Sequence, residues 1–154
     1  MFKTLQKVGK SFMLPIAILP AAGLLLGIGS ALSSEAALIS YPMLNIPFLQ
    51  AIFKVMAAAG NTVFANLSLL LCIGLCVGLA QKDKGVAALS GVVGFLIMNA
   101  TTAVMLSIFR PDGSAIDTGV IGALVMGAVV VKLHNKYRSV QLPQVLGFFG
   151  GSRF

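Results

Sequence analysis

The chain has 154 residues, of which 58% are hydrophobic and only 10% are charged. A soluble domain carries about 25% charged residues, so this composition excludes an ordinary soluble fold. The net charge of +7 raises the question of nucleic-acid binding. However, the basic residues lie at the ends of apolar runs, where membrane topology accounts for them, and we expect no nucleic-acid partner.

Charge-free runs are the strongest secondary-structure signal. Residues 12–32, 55–81 and 85–109 contain no charged side chain. A transmembrane helix needs about 20 apolar residues, because it rises about 1.5 Å per residue across a hydrocarbon core of about 30 Å. The sequence therefore predicts an all-α integral membrane protein, a polytopic bundle of four or five transmembrane helices.

The first predicted span, 12–32, contains Pro15 and Pro20. Proline removes a backbone donor and bends a helix, so both residues predict a kinked first helix packed against neighbours. Gly23 and Gly27 in this span form a small-xxx-small pattern, which lets helix backbones approach closely in lipid. We interpret them as candidates for bundle packing or dimerisation. An equally weighted alternative is that they have no special role, because glycine is common in membrane helices.

The region after the first span is ambiguous. Residues 46–59 fit an interfacial helix with a snorkelling Lys54, and Gly60-Asn61 is expected to end it. The second span is then predicted at 62–81, where Gly74 and Gly78 repeat the small-xxx-small pattern. Cys72 and Cys76 lie in the same apolar run, and we favour packing over a redox or metal role for both.

Two further spans are predicted at 86–109 and 114–133. In the last, only 118–131 is charge-free, so Lys132 must snorkel towards the surface. Residues 134–154 are predicted to form a cytoplasmic segment after this span. Asp112 and Asp117, in the preceding loop, are interpreted as a solvated turn rather than as a pair of catalytic carboxylates.

Lysine and arginine residues alternate between the two sides of this topology. Nine lie in the N-terminal segment, the 82–84 turn and the tail, one lies in the 110–117 loop, and Lys54 remains unassigned. By the positive-inside rule, the N-terminus is expected to be cytoplasmic. No ionisable residue lies at the centre of the four predicted spans, which argues against a proton-coupled transporter or ion channel built from this chain alone.

Catalytic signatures are missing from the sequence. It contains no Walker, GxSxG or HExxH motif, so we predict no catalytic residue, no metal ion and no cofactor.

Four segments resemble, in order, the membrane subunit (enzyme IIC, or EIIC) of bacterial phosphoenolpyruvate-dependent sugar phosphotransferase systems, in the glucose, N-acetylglucosamine and maltose branch. The segments are Leu5–Gly23; Gly60–Leu67 with Ile73-Gly74 and Val77–Ala80; Gly85–Leu89; and Leu142–Phe154. The last, residues 142–154, is similar to a cytoplasmic loop of that family. The resemblance covers nearly the whole chain.

This resemblance implies a permease of the bacterial cell membrane that takes up a hexose, glucose or N-acetylglucosamine, with coupled phosphorylation. The implied partners are the sugar, a IIB domain or subunit that carries a phosphocysteine, and through it IIA and the phosphocarrier protein. Family members form homodimers, with the N-terminal helices as the dimer scaffold and the later helices holding the sugar.

The sugar site is expected beyond Phe154, so residues 1–154 are interpreted as the scaffold part, truncated or split from the sugar-binding half. His134 does not match the sugar-site motif of the family, and Cys72 and Cys76 are too apolar in setting to be its phosphocysteine. Two alternatives stay open. One is a small membrane protein that assembles with a separately encoded half; the other is an interaction protein that pairs with intact permeases and does not transport.

Overall fold

The computed structural model describes residues 2–109 and 118–140. Within these ranges the chain forms six α-helices and one 3-10 helix, and no strand. The helices are α1 (Phe2–Ser33), α2 (Glu35–Ser40), α3 (Pro47–Ala65), α4 (Leu67–Leu79), α5 (Lys84–Phe109) and α6 (Gly119–Tyr137), with the 3-10 helix at Pro42–Leu44. The all-α prediction is confirmed.

Four of the described helices are long and apolar enough to cross a membrane: Gln6–Ser33 within α1, Pro47–Ala65, Lys84–Phe109 and Gly119–Tyr137. Large apolar side chains on these helices are exposed, for example Ile97 and Ile108 on α5 and Ile121 on α6. Lipid solvates such side chains as well as a protein interior does, so their exposure fits a polytopic membrane protein.

The helix break expected at Gly60-Asn61 is not present. Helix α3 begins at Pro47, includes both residues and continues to Ala65. Glycine destabilises an exposed helix by about 1 kcal/mol, but at Gly60 the absent side chain makes room for another helix. The break lies instead at Asn66, whose backbone N–H bonds to the Thr62 carbonyl before α4 begins at Leu67.

This boundary changes the interpretation of two predicted segments. Of the predicted interfacial helix 46–59, all residues from Pro47 onward belong to α3, a helix of membrane-spanning length. Helix α4, inside the predicted span 62–81, has only 13 residues. Lys54 therefore lies within a candidate span, against our expectation that the spans carry no central ionisable residue. Its side chain is exposed two turns from the start of α3, where a lysine reaches the interface by snorkelling.

The other predicted segments map more simply. Predicted span 12–32 lies within α1, which continues through Pro15 and Pro20, and predicted span 86–109 lies within α5. The helix that corresponds to the fourth predicted span is α6. It begins at Gly119 and extends to Tyr137, so His134 belongs to a helix rather than to a loop. Residues 114–117, Asp112, and the segment 142–154 lie outside the described residues.

The chain divides into two compact units. One unit comprises the chain up to Leu14 together with the chain from Ser68 onward, and the other comprises Pro15–Leu67. One boundary falls at Pro15, a residue that cannot donate the helical hydrogen bond, and the other falls next to the break at Asn66.

Candidate helix-packing sites

In the unit Pro15–Leu67, two glycines bring α1 and α3 into close contact. A methyl group added to Gly29 of α1 would lie 2.6 Å from the Phe53 carbonyl oxygen and 2.9 Å from the Ala57 Cα of α3. A methyl group on Gly60 of α3 would lie 2.5 Å from both the Ala22 carbonyl oxygen and the Leu26 nitrogen of α1. The contacting atoms are mostly backbone, so no rotamer change could make room.

These contacts have an antiparallel register. Gly29, near the end of α1, meets Phe53 and Ala57, while the earlier Ala22 and Leu26 meet the later Gly60. Close backbone approach increases van der Waals packing, which is what holds helices together where lipid removes the hydrophobic incentive. Each helix thus contributes one glycine that allows close contact with the backbone of the other: Gly29 of α1 and Gly60 of α3.

A glutamine ties the end of this helix pair together. Gln50 of α3 is only 8% exposed, and its Nε2 donates to the carbonyl oxygens of Leu32 (3.2 Å) and Leu44 (2.9 Å). The Leu32 carbonyl is among the last four of α1, which have no partner within the helix. One amide group therefore satisfies one carbonyl at the end of α1 and joins the 3-10 helix to α3.

The two glycines predicted from α1 have looser surroundings. A methyl group on Gly23 would reach only Phe64 Cζ, at 4.0 Å, and one on Gly27 would meet no atom within 4 Å. Gly27 is exposed. Of these two, therefore, Gly23 adjoins α3 and Gly27 faces away from the described residues of its unit.

In the other unit, three helices each bury a stripe of residues spaced by four: Cys72, Cys76 and Ala80 from α4 and its end, Ala87, Gly91 and Phe95 on α5, and Ala123, Gly127 and Val131 on α6. Residues four apart lie on one face of a helix. The three stripes face one another and form the core of this unit, with Met98 and Met126 packed against it.

The two cysteines are at the centre of that core. Both are fully buried and both are free thiols. Cys72 Sγ lies 3.6 Å from the Gly91 carbonyl oxygen and Cys76 Sγ lies 3.9 Å from that of Gly127, so the thiols bridge α4 to α5 and α6. This agrees with the packing role that the sequence favoured, since a cysteine acts as a small hydrophobe with a weak donor.

Gly78, predicted for close packing, lies against the start of α1. A methyl group on Gly78 would overlap the Ser11 side chain and come within 2.7 Å of the Ser11 Cα. Ser11 is 4% exposed, and its hydroxyl donates to the Lys7 carbonyl oxygen. Gly74, its predicted companion, is half-buried one turn earlier in α4.

Polar side chains of α6 fasten the turn between α4 and α5. Asn135 accepts from the Gln81 backbone N–H (3.0 Å) and donates to the Leu79 carbonyl oxygen (3.2 Å). His134 Nε2 lies 3.0 Å from the Lys82 carbonyl oxygen, and because a carbonyl can only accept, this nitrogen carries the hydrogen. His134 therefore has a structural partner, the backbone of the turn between α4 and α5.

The described residues hold no group of three or more His, Cys, Asp or Glu side chains that could bind a metal ion. The polar contacts that they do make, such as Thr118 Oγ1 donating to Asn99 Oδ1 at 3.0 Å, join one helix to the next.

Sequence reasoning missed several of these positions: Gly29, Gly60, Gly91, Gly127, Gln50 and Asn135. Pairs of glycines four residues apart do not include these positions. Extending the small-xxx-small pattern to alanine and cysteine finds Cys72-xxx-Cys76-xxx-Ala80, Ala87-xxx-Gly91 and Ala123-xxx-Gly127. Gln50 and Asn135 carry no comparable pattern, because their role depends on carbonyl groups distant in the chain.

Comparison with known proteins agrees with this architecture. The family described as phosphotransferase system, EIIC, matches residues 9–154. The maltose-specific EIICB component of the phosphotransferase system of Escherichia coli (strain K12) is 40% identical over 97% of this chain. Glucose-specific EIICBA components are 38% identical over 99% of the chain in Staphylococcus carnosus and 39% identical over 100% in Staphylococcus saprophyticus.

These relatives are longer proteins. The chain spans 32% of the Escherichia coli relative and 24% of each staphylococcal one. The family match nevertheless covers the described helices almost completely. The chain therefore belongs to the EIIC family of the phosphotransferase system, a family of multi-pass integral membrane proteins.

Proposed function

We propose that this chain is the N-terminal, helix-packing part of a sugar-specific EIIC permease, which takes up its sugar with coupled phosphorylation. The observation that carries the proposal is the family match over residues 9–154. The tight contacts at Gly29, Gly60, Gly78 and Gly91 support a scaffold role for these helices, because each requires a fixed backbone position. The sugar site itself is proposed to lie beyond Phe154.

The sugar is proposed to be glucose or a glucose-containing sugar. The relatives are named for maltose and glucose, and maltose consists of two glucose units. N-acetylglucosamine, the other sugar that the family resemblance implies, is not favoured by these names. A transport measurement decides between maltose and glucose.

The partners are proposed from the same relatives. Their names join the C component to B, or to B and A, within one protein. We therefore propose that a IIB domain or subunit phosphorylates the sugar on the cytoplasmic side and receives its phosphate through IIA and the phosphocarrier protein. Under this proposal the N-terminus and the α4–α5 turn are cytoplasmic, where their lysines follow the positive-inside rule.

A transport assay tests this function. The complete reading frame that contains this chain is expressed in bacteria lacking their own glucose, maltose and N-acetylglucosamine phosphotransferase permeases. We expect one radiolabelled sugar, glucose or maltose, to accumulate as its phosphate, and only when phosphoenolpyruvate-dependent phosphotransfer is intact. Accumulation of unphosphorylated sugar, or of none of the three sugars, would refute the proposal.

Dimerisation is proposed to use the exposed face of α1 around Gly27. No described atom lies within 4 Å of a methyl group placed there, so a larger side chain leaves the contacts within the unit intact. We expect Gly27→Leu to weaken self-association about tenfold, or about 1.4 kcal/mol, through lost backbone approach. Förster transfer between labelled copies in vesicles, measured against protein-to-lipid ratio, gives the association constant.

The matched control is Gly9→Leu, which also changes an α1 glycine with no described atom within 4 Å. It should leave self-association unchanged if the face around Gly27 forms the contact. Equal association constants for Gly27→Leu and the unmodified protein would show that Gly27 lies outside any dimer interface.

A further inference from the structure

One side of α6 combines exposed apolar and cationic side chains. Val125, Val129, Lys132 and Lys136 follow one another at spacings of four, three and four residues, so they form a single stripe along the helix. All four are exposed, Val125 to 57% and Val129 to 47%. The two valines lie near the middle of the helix, and the two lysines lie near its C-terminal end. We call these four residues the α6 stripe.

The length of the α6 stripe matches one lipid. From Val125 to Lys136 the helix rises about 16 Å, at about 1.5 Å per residue. Half of a hydrocarbon core of about 30 Å is about 15 Å, the depth of one leaflet. An acyl chain lying along Val129 and Val125 therefore places its headgroup at the level of Lys132 and Lys136.

The charges at the end of the stripe suit an anion. Lys132 and Lys136 are one helical turn apart, a spacing that allows both ammonium groups to approach one phosphate. Neither forms an ion pair with any residue that the structure describes, although Lys136 Nζ lies 5.1 Å from the centre of the Tyr137 ring. Helix α6 contains no acidic residue, and Asp83 is the one acidic side chain among the described residues of this unit.

The orientation of the stripe is fixed by the opposite side of the helix. His134 is two residues from Lys132 and therefore points to the other side, where its Nε2 contacts the Lys82 carbonyl oxygen. Asn135 is held by Leu79 and Gln81. These contacts keep Lys132 and Lys136 on the outer surface of the α4–α6 core.

We propose that the α6 stripe binds an anionic phospholipid, with the headgroup phosphate between Lys132 and Lys136 and an acyl chain along Val129 and Val125. A soluble acidic partner would use the two cations but leave the adjoining valines without a role. A lipid uses both, since phosphate and hydrocarbon are joined in one molecule. Lysines near a membrane surface attract anionic lipid headgroups in this way.

A lipid-selectivity measurement tests the proposal. These 154 residues contain no tryptophan, so Leu133→Trp, at a 51% exposed position beside the stripe, introduces a single tryptophan into them. The protein is placed in vesicles containing brominated phosphatidylglycerol or brominated phosphatidylcholine, each of which quenches tryptophan on contact. We expect phosphatidylglycerol to bind beside Trp at least about fivefold more tightly, or about 1 kcal/mol.

Two double variants, each made in the Leu133→Trp protein, distinguish a specific lipid site from a general attraction of positive charge for anionic lipid. Lys132→Gln with Lys136→Gln should reduce the preference to about one. Lys7→Gln with Lys10→Gln removes the same charge from exposed positions at the start of α1 and should leave the preference unchanged. Native mass spectrometry of the unmodified protein and of the two double variants, counting retained phosphatidylglycerol, checks the result without the tryptophan.

Three results would overturn the proposal. A preference near one in the single-tryptophan protein would mean that the lysines do not select anionic lipid. An equal loss of preference in both double variants would mean that only the overall charge matters. Absence of quenching by either lipid would mean that the α6 stripe is covered by protein, from the same chain or from another.

Discussion

Replacing Gly60 with alanine is expected to lower the free energy of unfolding by about 3 kcal/mol, at the upper end of the range for overpacked cores. The added methyl group would meet the Ala22 carbonyl oxygen and the Leu26 nitrogen at 2.5 Å, and the Leu26 Cβ at 2.8 Å. Two of these three atoms are backbone, so α1 and α3 must separate to admit it. Unfolding by sodium dodecyl sulfate in mixed micelles, followed by circular dichroism, measures the loss.

Gly27→Ala is the matched control, because it makes the same change in the same helix pair with no described atom within 4 Å. Its effect should stay within about 1 kcal/mol, the difference in helix propensity between the two residues. Equal unfolding midpoints for Gly60→Ala and Gly27→Ala would contradict the α1–α3 contact described above.

The second large effect is expected at the meeting point of α4 and α5. A methyl group on Gly91 would lie 2.6 Å from Cys76 Sγ and 3.4 Å from its Cβ. Gly91→Ala should therefore lower the free energy of unfolding by about 2 kcal/mol. Cys76→Ala removes the conflicting sulfur, so the double variant Gly91→Ala/Cys76→Ala should lose at least about 1 kcal/mol less than the sum of the two single losses.

A second pair on the same helices provides the control. A methyl group on Gly94 would meet Met126 Sδ at 3.1 Å and Val130 Cγ2 at 3.3 Å, but not Cys76. Gly94→Ala and Cys76→Ala should thus be additive within about 0.5 kcal/mol. Additive losses for Gly91→Ala and Cys76→Ala as well would show that the two residues do not share the space assigned to them.

The sequence was sufficient to predict the class of fold and the family, because long apolar runs and ordered sequence blocks are properties of the chain itself. It was not sufficient to locate the break between α3 and α4. Glycine ends a helix when its backbone is solvated, yet Gly60 is buried against Ala22 and Leu26. The contact that stabilises the helix at this point comes from a residue nearly forty positions earlier, which local pattern reasoning does not include.

The candidate packing residues show the same limit. Gly78 and Gly27 have the same four-residue spacing to a partner glycine, yet one touches Ser11 and the other meets no described atom within 4 Å. A spacing identifies a face of a helix but not which neighbour covers that face. Likewise, nothing in the sequence around Gln50 or Asn135 indicates the carbonyl groups that each amide binds.

The helix pair of α1 and α3 has a consequence for how the protein is made. The contacts of Gly29 and Gly60, and the bonds from Gln50 to Leu32 and Leu44, all join residues within Pro15–Leu67. A ribosome completes this stretch before it has synthesised α4, α5 and α6. Helices associate in lipid through packing of this kind. The pair of α1 and α3 can therefore form in the bilayer as soon as both helices are inserted, before the later helices are synthesised.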